Sequence, residues 1–227
     1  MNIKKFYRAS LVALALGFGA NAAQAQTYSY FPEGAGPYFR VGVGPSFFEN
    51  GKLTYFGMPT SSRVEFRTGL ATEAAVGYAF NKYLATDFEL GIVGAEINNV
   101  PGFTSHNSYL YNFPFLANVM LSYPIPRSIV TPYIGVGVGG ANVVFDSDHF
   151  GNVSQTVSGN EDDTVLAWQA FAGLRFQLNS RMSFGIGYKY FATKGSSFSY
   201  PPAPNFDAGF QGVRTHSVLL TFQMNFW

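Results

Sequence analysis

From about Tyr38 onward, apolar residues alternate with small or polar ones at a period of two in eight segments. Each segment reaches the roughly 9 to 11 residues that a tilted strand needs to cross a bilayer. In 38–48, Phe39, Val41, Val43 and Phe47 face one way and Arg40, Gly42 and Gly44 the other. In 68–80, Leu70, Ala74, Val76, Tyr78 and Phe80 oppose Glu73, Ala75 and Gly77; in 84–95, Leu84, Phe88, Leu90 and Ile92 oppose Asp87, Glu89 and Gly91. The fourth, 108–123, sets Phe113, Phe115, Val119 and Leu121 against Asn112, Asn118 and Ser122, with Pro114 inside it. In 130–143, Ile134, Val136 and Val138 alternate with Tyr133, Gly135, Gly137 and Gly139. In 164–178, Leu166, Trp168, Ala170, Leu174 and Phe176 oppose Gln169, Gly173, Arg175 and Gln177. The last two, 182–190 and 214–226, place Phe184, Ile186, Tyr188, Val218, Leu220 and Phe222 opposite Ser183, Gly185, Gly187, Lys189, Ser217, Thr221 and Gln223.

The connections alternate in length: 81–83, 124–129 and 179–181 are tight, whereas 49–67, 96–107, 144–163 and 194–213 are long. One rim is trimmed and the other elaborated, and an even strand number returns both ends of the wall to the trimmed side. The expected fold is all-β, an eight-stranded antiparallel up-and-down transmembrane β-barrel with short periplasmic turns and long extracellular loops. It is expected over 37–227, after a short periplasmic segment, 26–36.

A soluble ligand-binding barrel turns its apolar face inward. Here the face opposite the large apolar side chains collects glycines, amides and charges, which suit the narrow interior of eight strands, so the apolar face must meet lipid. Aromatics cluster at both strand ends: Phe39, Phe80, Tyr83, Tyr123, Phe176 and Phe226 toward the trimmed rim, Phe47, Tyr109, Trp168 and Tyr190 toward the other. Two such girdles are expected of a membrane barrel. The same phase turns Arg40, Glu73, Asp87, Glu89, Arg175 and Lys189 inward, three charges of each sign. Unpaired, each would be costly to bury, so they are expected to form one ion-paired network that closes the lumen.

Composition adds the route to the membrane. Lys4, Lys5 and Arg8 precede an apolar run, 9–20, and the small-x-small triplet Ala23-Gln24-Ala25. That run is too short to span a bilayer, so 1–25 is expected to be a cleaved signal peptide. Its removal takes three of the 14 basic residues and leaves 11 against 13 acidic ones, a balance with no footprint for nucleic acid. The absence of cysteine fits export to an oxidising compartment and excludes thiol chemistry.

The candidate chemistry is sparse. Gly135-Val136-Gly137-Val138-Gly139-Gly140 matches a dinucleotide-binding glycine pattern, but the next residues continue as strand where that function needs a helix. His106 and Ser108, two apart, would share a strand face as a base and hydroxyl nucleophile pair of a lipid-modifying enzyme; adjacent His216 and Ser217 would point opposite ways. Asp146, Asp148, Glu161, Asp162 and Asp163 enrich one long loop in oxygen ligands, without the spacing of a calcium-binding loop. Phe198, Tyr200, Phe206 and Phe210 with Pro201, Pro202 and Pro204 make another loop stiff and aromatic. No cofactor or metal site is expected.

The stretches TPYIGVGVGGANV (131–143), WQAFAGLRFQLNSRMSFGIGYKYFAT (168–193) and HSVLLTFQMNF (216–226) resemble the opacity-protein and surface-antigen family of Gram-negative outer-membrane barrels, over nearly the whole mature chain. The resemblance implies insertion by the barrel-assembly machinery and loops that engage host molecules; it carries over no catalytic residue. It also makes Phe222, Met224 and Phe226, followed by Trp227, the C-terminal assembly signal. The function expected is that of a porin-like or opacity-like surface antigen, not an enzyme. It would sit among outer-membrane lipid and lipopolysaccharide and act in envelope structure, adhesion or host interaction through 49–67, 144–163 and 194–213. The alternatives are a lipid A deacylase-like enzyme using His106 and Ser108, and a narrow small-solute channel.

Overall fold

The structure, a computed structural model, describes the backbone of residues 34–55, 58–99, 104–152, 155–199, 207–210 and 212–226. Side chains are described over the same stretches except 51–65, 98–108, 145–162 and 196–211. The expected signal peptide, residues 26–33 of the 26–36 segment, and Trp227 lie outside the described residues, as do the side chains of His106, Ser108, Asp146, Asp148, Glu161 and Asp162 and of the aromatic and proline residues of 198–210.

Twelve strands follow one another in the described chain: β1 (Gly36–Phe48), β2 (Gly51–Tyr55), β3 (Met58–Phe66), β4 (Gly69–Ala79), β5 (Leu84–Asn99), β6 (Thr104–Ser122), β7 (Val130–Asn152), β8 (Gln155–Gln177), β9 (Met182–Thr193), β10 (Ser196–Ser199), β11 (Asp207–Phe210) and β12 (Arg214–Asn225). Eight of them pair antiparallel in the ring β1, β4, β5, β6, β7, β8, β9, β12, and β12 pairs back onto β1. Closure leaves the wall no free edge, which is what a sheet surrounded by lipid requires.

The faces are sorted as an inverted protein. Ile134, Val136 and Val138 on β7 are 58–62 % exposed, as are Leu70, Phe88, Leu90, Val119, Leu121, Ile186 and Leu220 on other strands to similar degrees, while Arg40, Glu73, Asp87, Glu89 and Lys189 are buried inside. The interior is fuller than a lining of small residues: Tyr38, Leu116, Met120, Tyr133, Phe171 and Phe191 are all buried within it. Glycines make the room. A Cβ at Gly135 would strike the Phe171 ring, and one at Gly173 or Gly187 would lie 2.6 Å from the Tyr133 hydroxyl.

Pro114 leaves the phase of β6 intact. Phe113 and Phe115 stay outward and Asn112 and Leu116 stay buried. Pairing to β7 runs straight through Pro114↔Ala141, while pairing to β5 omits only the two positions between Leu90↔Phe115 and Val93↔Asn112. A proline has no N–H to donate, so one ladder loses a bond while the other keeps its register.

The tight turns are closed by side chains. Asn81 Oδ1 accepts from the N–H groups of Tyr83 (2.8 Å) and Leu84 (3.0 Å), and Asn179 Oδ1 accepts from Arg181 (2.9 Å) and Met182 (2.8 Å). This is the local bonding that suits asparagine to turns. The opposite rim departs from the expected loops. β7 and β8 are 23 residues each and stay paired to Asn152↔Gln155, with a shift between Ser147 and Phe150. Residues 144–152 and 155–163 therefore carry the ladder on from the wall. β2 and β3 form a hairpin in 49–67, and β10 and β11 form another after β9; β11 pairs with β2 and β3 with β5, which ties these hairpins to one another and to the wall.

Candidate functional site

Halfway along the interior, residues from six strands meet. Arg40 (β1) pairs with Glu73 (β4), with Asp87 (β5) at 3.0 Å and with Glu89 (β5) at 3.4 Å. Lys189 (β9) pairs with Glu73 and, at 2.5 Å, with Glu89. Both Lys189 bonds cross the lumen, because β9 is a neighbour of neither β4 nor β5. Neutral groups complete the cluster. The Tyr38 hydroxyl donates to Asp87 Oδ2 at 2.7 Å, Asn118 Nδ2 to Asp87 Oδ1 at 2.6 Å and Glu89 Oε2 at 3.1 Å, and Gln169 Nε2 to Glu89 Oε2 at 3.1 Å and Asn118 Oδ1 at 2.8 Å. The ring of Phe171 lies 5.8 Å from the Arg40 guanidinium and 6.0 Å from Lys189 Nζ, within reach of a cation–π attraction on one side of the cluster.

The sequence placed six charges in this network, and five of them meet. Arg175 does not join: among the described residues it forms no ion pair, and it instead donates to Met120 Sδ at 3.3 Å and stands 5.4 Å from the centre of the Tyr133 ring. The expected balance of three and three becomes two cations against three carboxylates. The physical reason is stagger. Strands in a closed barrel are sheared past one another, so a shared face does not mean a shared level. Tyr38, Asn118 and Gln169 belong to the cluster although they carry no charge; their inward phase was the signal that could have found them.

The network fills its level of the lumen. Beside it lie two voids of about 10 Å³ each, one against Glu73, Glu89, Gln169 and Lys189, the other against Arg40, Phe171 and Thr221. Each is at the lower limit of what one water needs. Glycines are required here as well: a Cβ at Gly42 would come within 2.8 Å of the Glu73 side chain, one at Gly77 within 2.6 Å of Asp87 Cβ and Tyr38 Cζ, and one at Gly137 would collide with Asn118 Oδ1. The glycine run 135–140 is thus wall geometry, with no helix after it.

The two mouths differ. Toward the periplasm, Arg175 lines a basin of about 310 Å³ with Met120, Thr131, Gln177 and Gln223. On the outer surface near the elaborated rim, His216 bonds Tyr188 at 2.5 Å and Glu49 at 2.9 Å, Arg214 lies 3.6 Å from Glu49, and Trp168 packs on Tyr190 at 5.2 Å. Ser217 points inward, buried, and donates to Ser46 at 2.9 Å, so the His216 and Ser217 side chains are on opposite faces. The backbone at His106 and Ser108 lies in β6, paired with His149 and Ser147 of β7. Of the C-terminal set, Phe222 packs on Phe184 at 5.3 Å and Phe226 is exposed on the lipid face.

The profile of the outer membrane protein beta-barrel domain matches residues 10–226. An uncharacterised protein of Brucella suis biovar 1 is 28 % identical over 152 residues, 57 % of this chain and 53 % of that protein, so the chain spans about half the length of that relative. The outer membrane protein OprG of Pseudomonas aeruginosa superposes with a TM-score of 0.57 at 11 % identity, over 86 % of this chain and 99 % of that one. Neisserial surface protein A does so at 0.51 and 15 % identity, over 86 % and 100 %. These two likenesses concern the fold.

Proposed function

Because the chain belongs to the outer membrane protein beta-barrel domain family, we propose that it works at the cell surface as a closed, non-catalytic barrel whose external rim is a recognition surface. The observation that carries this reading is where the chain invests its order. A crossing takes roughly 9 to 11 residues, yet β7 and β8 run to 23 each and the loop strands are knitted onto the rim. A strand-paired rim backbone is ordered before a partner arrives, which lowers the ordering cost of binding. The filled level of the lumen argues in the same direction, since it leaves little room for a solute to pass through the wall.

Adhesion, host contact and envelope structure through contacts with lipopolysaccharide are the roles that fit such a rim. The aromatic and charged ledge of Trp168, Tyr190, His216 and Arg214 supports the lipopolysaccharide contact, since aromatics and cations suit the headgroup level of a membrane. Residues 1–25 act as the export signal, and mature protein should begin at Gln26 by N-terminal sequencing.

The test is a binding assay on intact cells carrying either the whole chain or a variant with 144–163 and 194–213 replaced by short turns. The variant should remain heat-modifiable on gels and lose the surface interaction. Retained binding by the trimmed barrel would sink the proposal. Changed lipid A masses on expression would point to the His106 and Ser108 enzyme, and swelling of liposomes in small solutes to the channel.

A further inference from the structure

Arg175 carries an inference about the opposite mouth. A guanidinium presents five N–H donors in a planar fork that matches a carboxylate, whereas a thioether sulfur and a ring face are weak acceptors. Those two are what Arg175 meets in the wall. Its other side faces the periplasmic basin, whose charged lining residues among those described are Arg175 and Lys82, with no carboxylate among them. Hydroxyl and amide groups, including Thr131 and Gln177, supply further hydrogen-bonding capacity.

A second group faces the same basin. Gln223 is only 5 % exposed; its amide nitrogen donates to Asn225 at 2.8 Å, while its enclosed Oε1 has no hydrogen-bond partner among the described residues. The register places it close to Arg175: Arg175 pairs with Gly185 and Gln177 with Ser183 of β9, and Ser183 pairs with Gln223 of β12. One strand and one inward step separate a cation from an acceptor. The volume, about 310 Å³, is far above what a single water needs. The approach is positive too. The three tight turns carry Lys82, Arg127 and Arg181 and no acidic residue, so an anion is drawn toward this rim.

We propose that the periplasmic basin binds a small carboxylate bearing a hydroxyl or amino group, its carboxylate forked on Arg175 and its donor on Gln223 Oε1, which turns from its enclosed position to accept it. The site lies at the end of the barrel away from the external rim and stands independently of what that rim recognises.

The experiment uses the full chain refolded into lipid nanodiscs, with side-chain NMR of arginine and calorimetry as readouts. L-lactate is the probe, propionate the analogue without the hydroxyl, and inorganic phosphate the comparison anion. Lactate should saturate a shift of the Arg175 Nε–H signal and bind about tenfold more tightly than propionate or phosphate. Arg175→Gln should weaken lactate by about tenfold or more, and Gln223→Leu should bring lactate and propionate to the same affinity. Should Arg175→Gln fail to fold, Arg175→Lys, which keeps the charge and loses the fork, together with Gln223→Leu decides the matter. Absence of a lactate response up to tens of millimolar, equal binding of phosphate, or lactate binding untouched by these variants would overturn the proposal and leave Arg175 as a counter-charge to the network.

Discussion

Lys189 holds two carboxylates from across the lumen, so its replacement leaves Glu73 and Glu89 with Arg40 as their one remaining cation among the described residues. Loss of one partner of a buried ion pair costs about 3–5 kcal/mol, and Lys189→Met should lie in that range by urea unfolding in lipid vesicles. Asp87→Asn should cost less, because it removes a charge from the side in surplus and keeps an oxygen for Tyr38. An equal loss in both variants would contradict the two-against-three balance. Gly137→Ala should cost about 1–3 kcal/mol in the same assay, because its methyl meets Asn118 Oδ1 in a packed level. Much of this site was legible: strand phase alone put Arg40, Glu73, Asp87, Glu89 and Lys189 on the inner face. The separate position of Arg175 was not, because level depends on how far each strand is staggered against its neighbours, and that is a property of pairs of strands.

At the scale of elements, the eight wall strands could be read because lipid on one side and a narrow lumen on the other force a strict alternation. β6 shows how robust that is, since Pro114 removes one donor without shifting either neighbour's register. The same strand supplies something that alternation does not encode: Tyr111 and Phe115 lie over the outward glycines Gly94 and Gly140, where an added Cβ would meet their rings. The extension of β7 and β8 was unreadable for a related reason. Residues 144–163 are rich in Asp, Asn, Ser and Gly, a loop composition, and their pairing is propagated from the wall. On the lipid face, Val136→Arg should cost about 2–4 kcal/mol in urea unfolding if that position sits near the bilayer centre, as its place midway along the β7 wall implies. A cost under about 1 kcal/mol would move Val136 to an interface or turn it away from lipid.

For the molecule as a whole, the packed level around Arg40 and Lys189 predicts how the barrel behaves in a membrane. Planar-bilayer recordings should show no stable, large conductance, and a steady open level would contradict the packing around Arg40 and Lys189. The ring also has a seam with an unusual property. Phe226 N–H donates to the carbonyl of Pro37 at 3.0 Å, so the two ends of the wall touch at the trimmed rim. A cylinder joined this way has no privileged starting strand. A chain rewired with a few residues linking 226 to 36 and new termini cut at Lys82 should reach the same folded state, and its failure to do so would mean that the order in which strands are made, and not their pairing alone, decides whether the barrel forms.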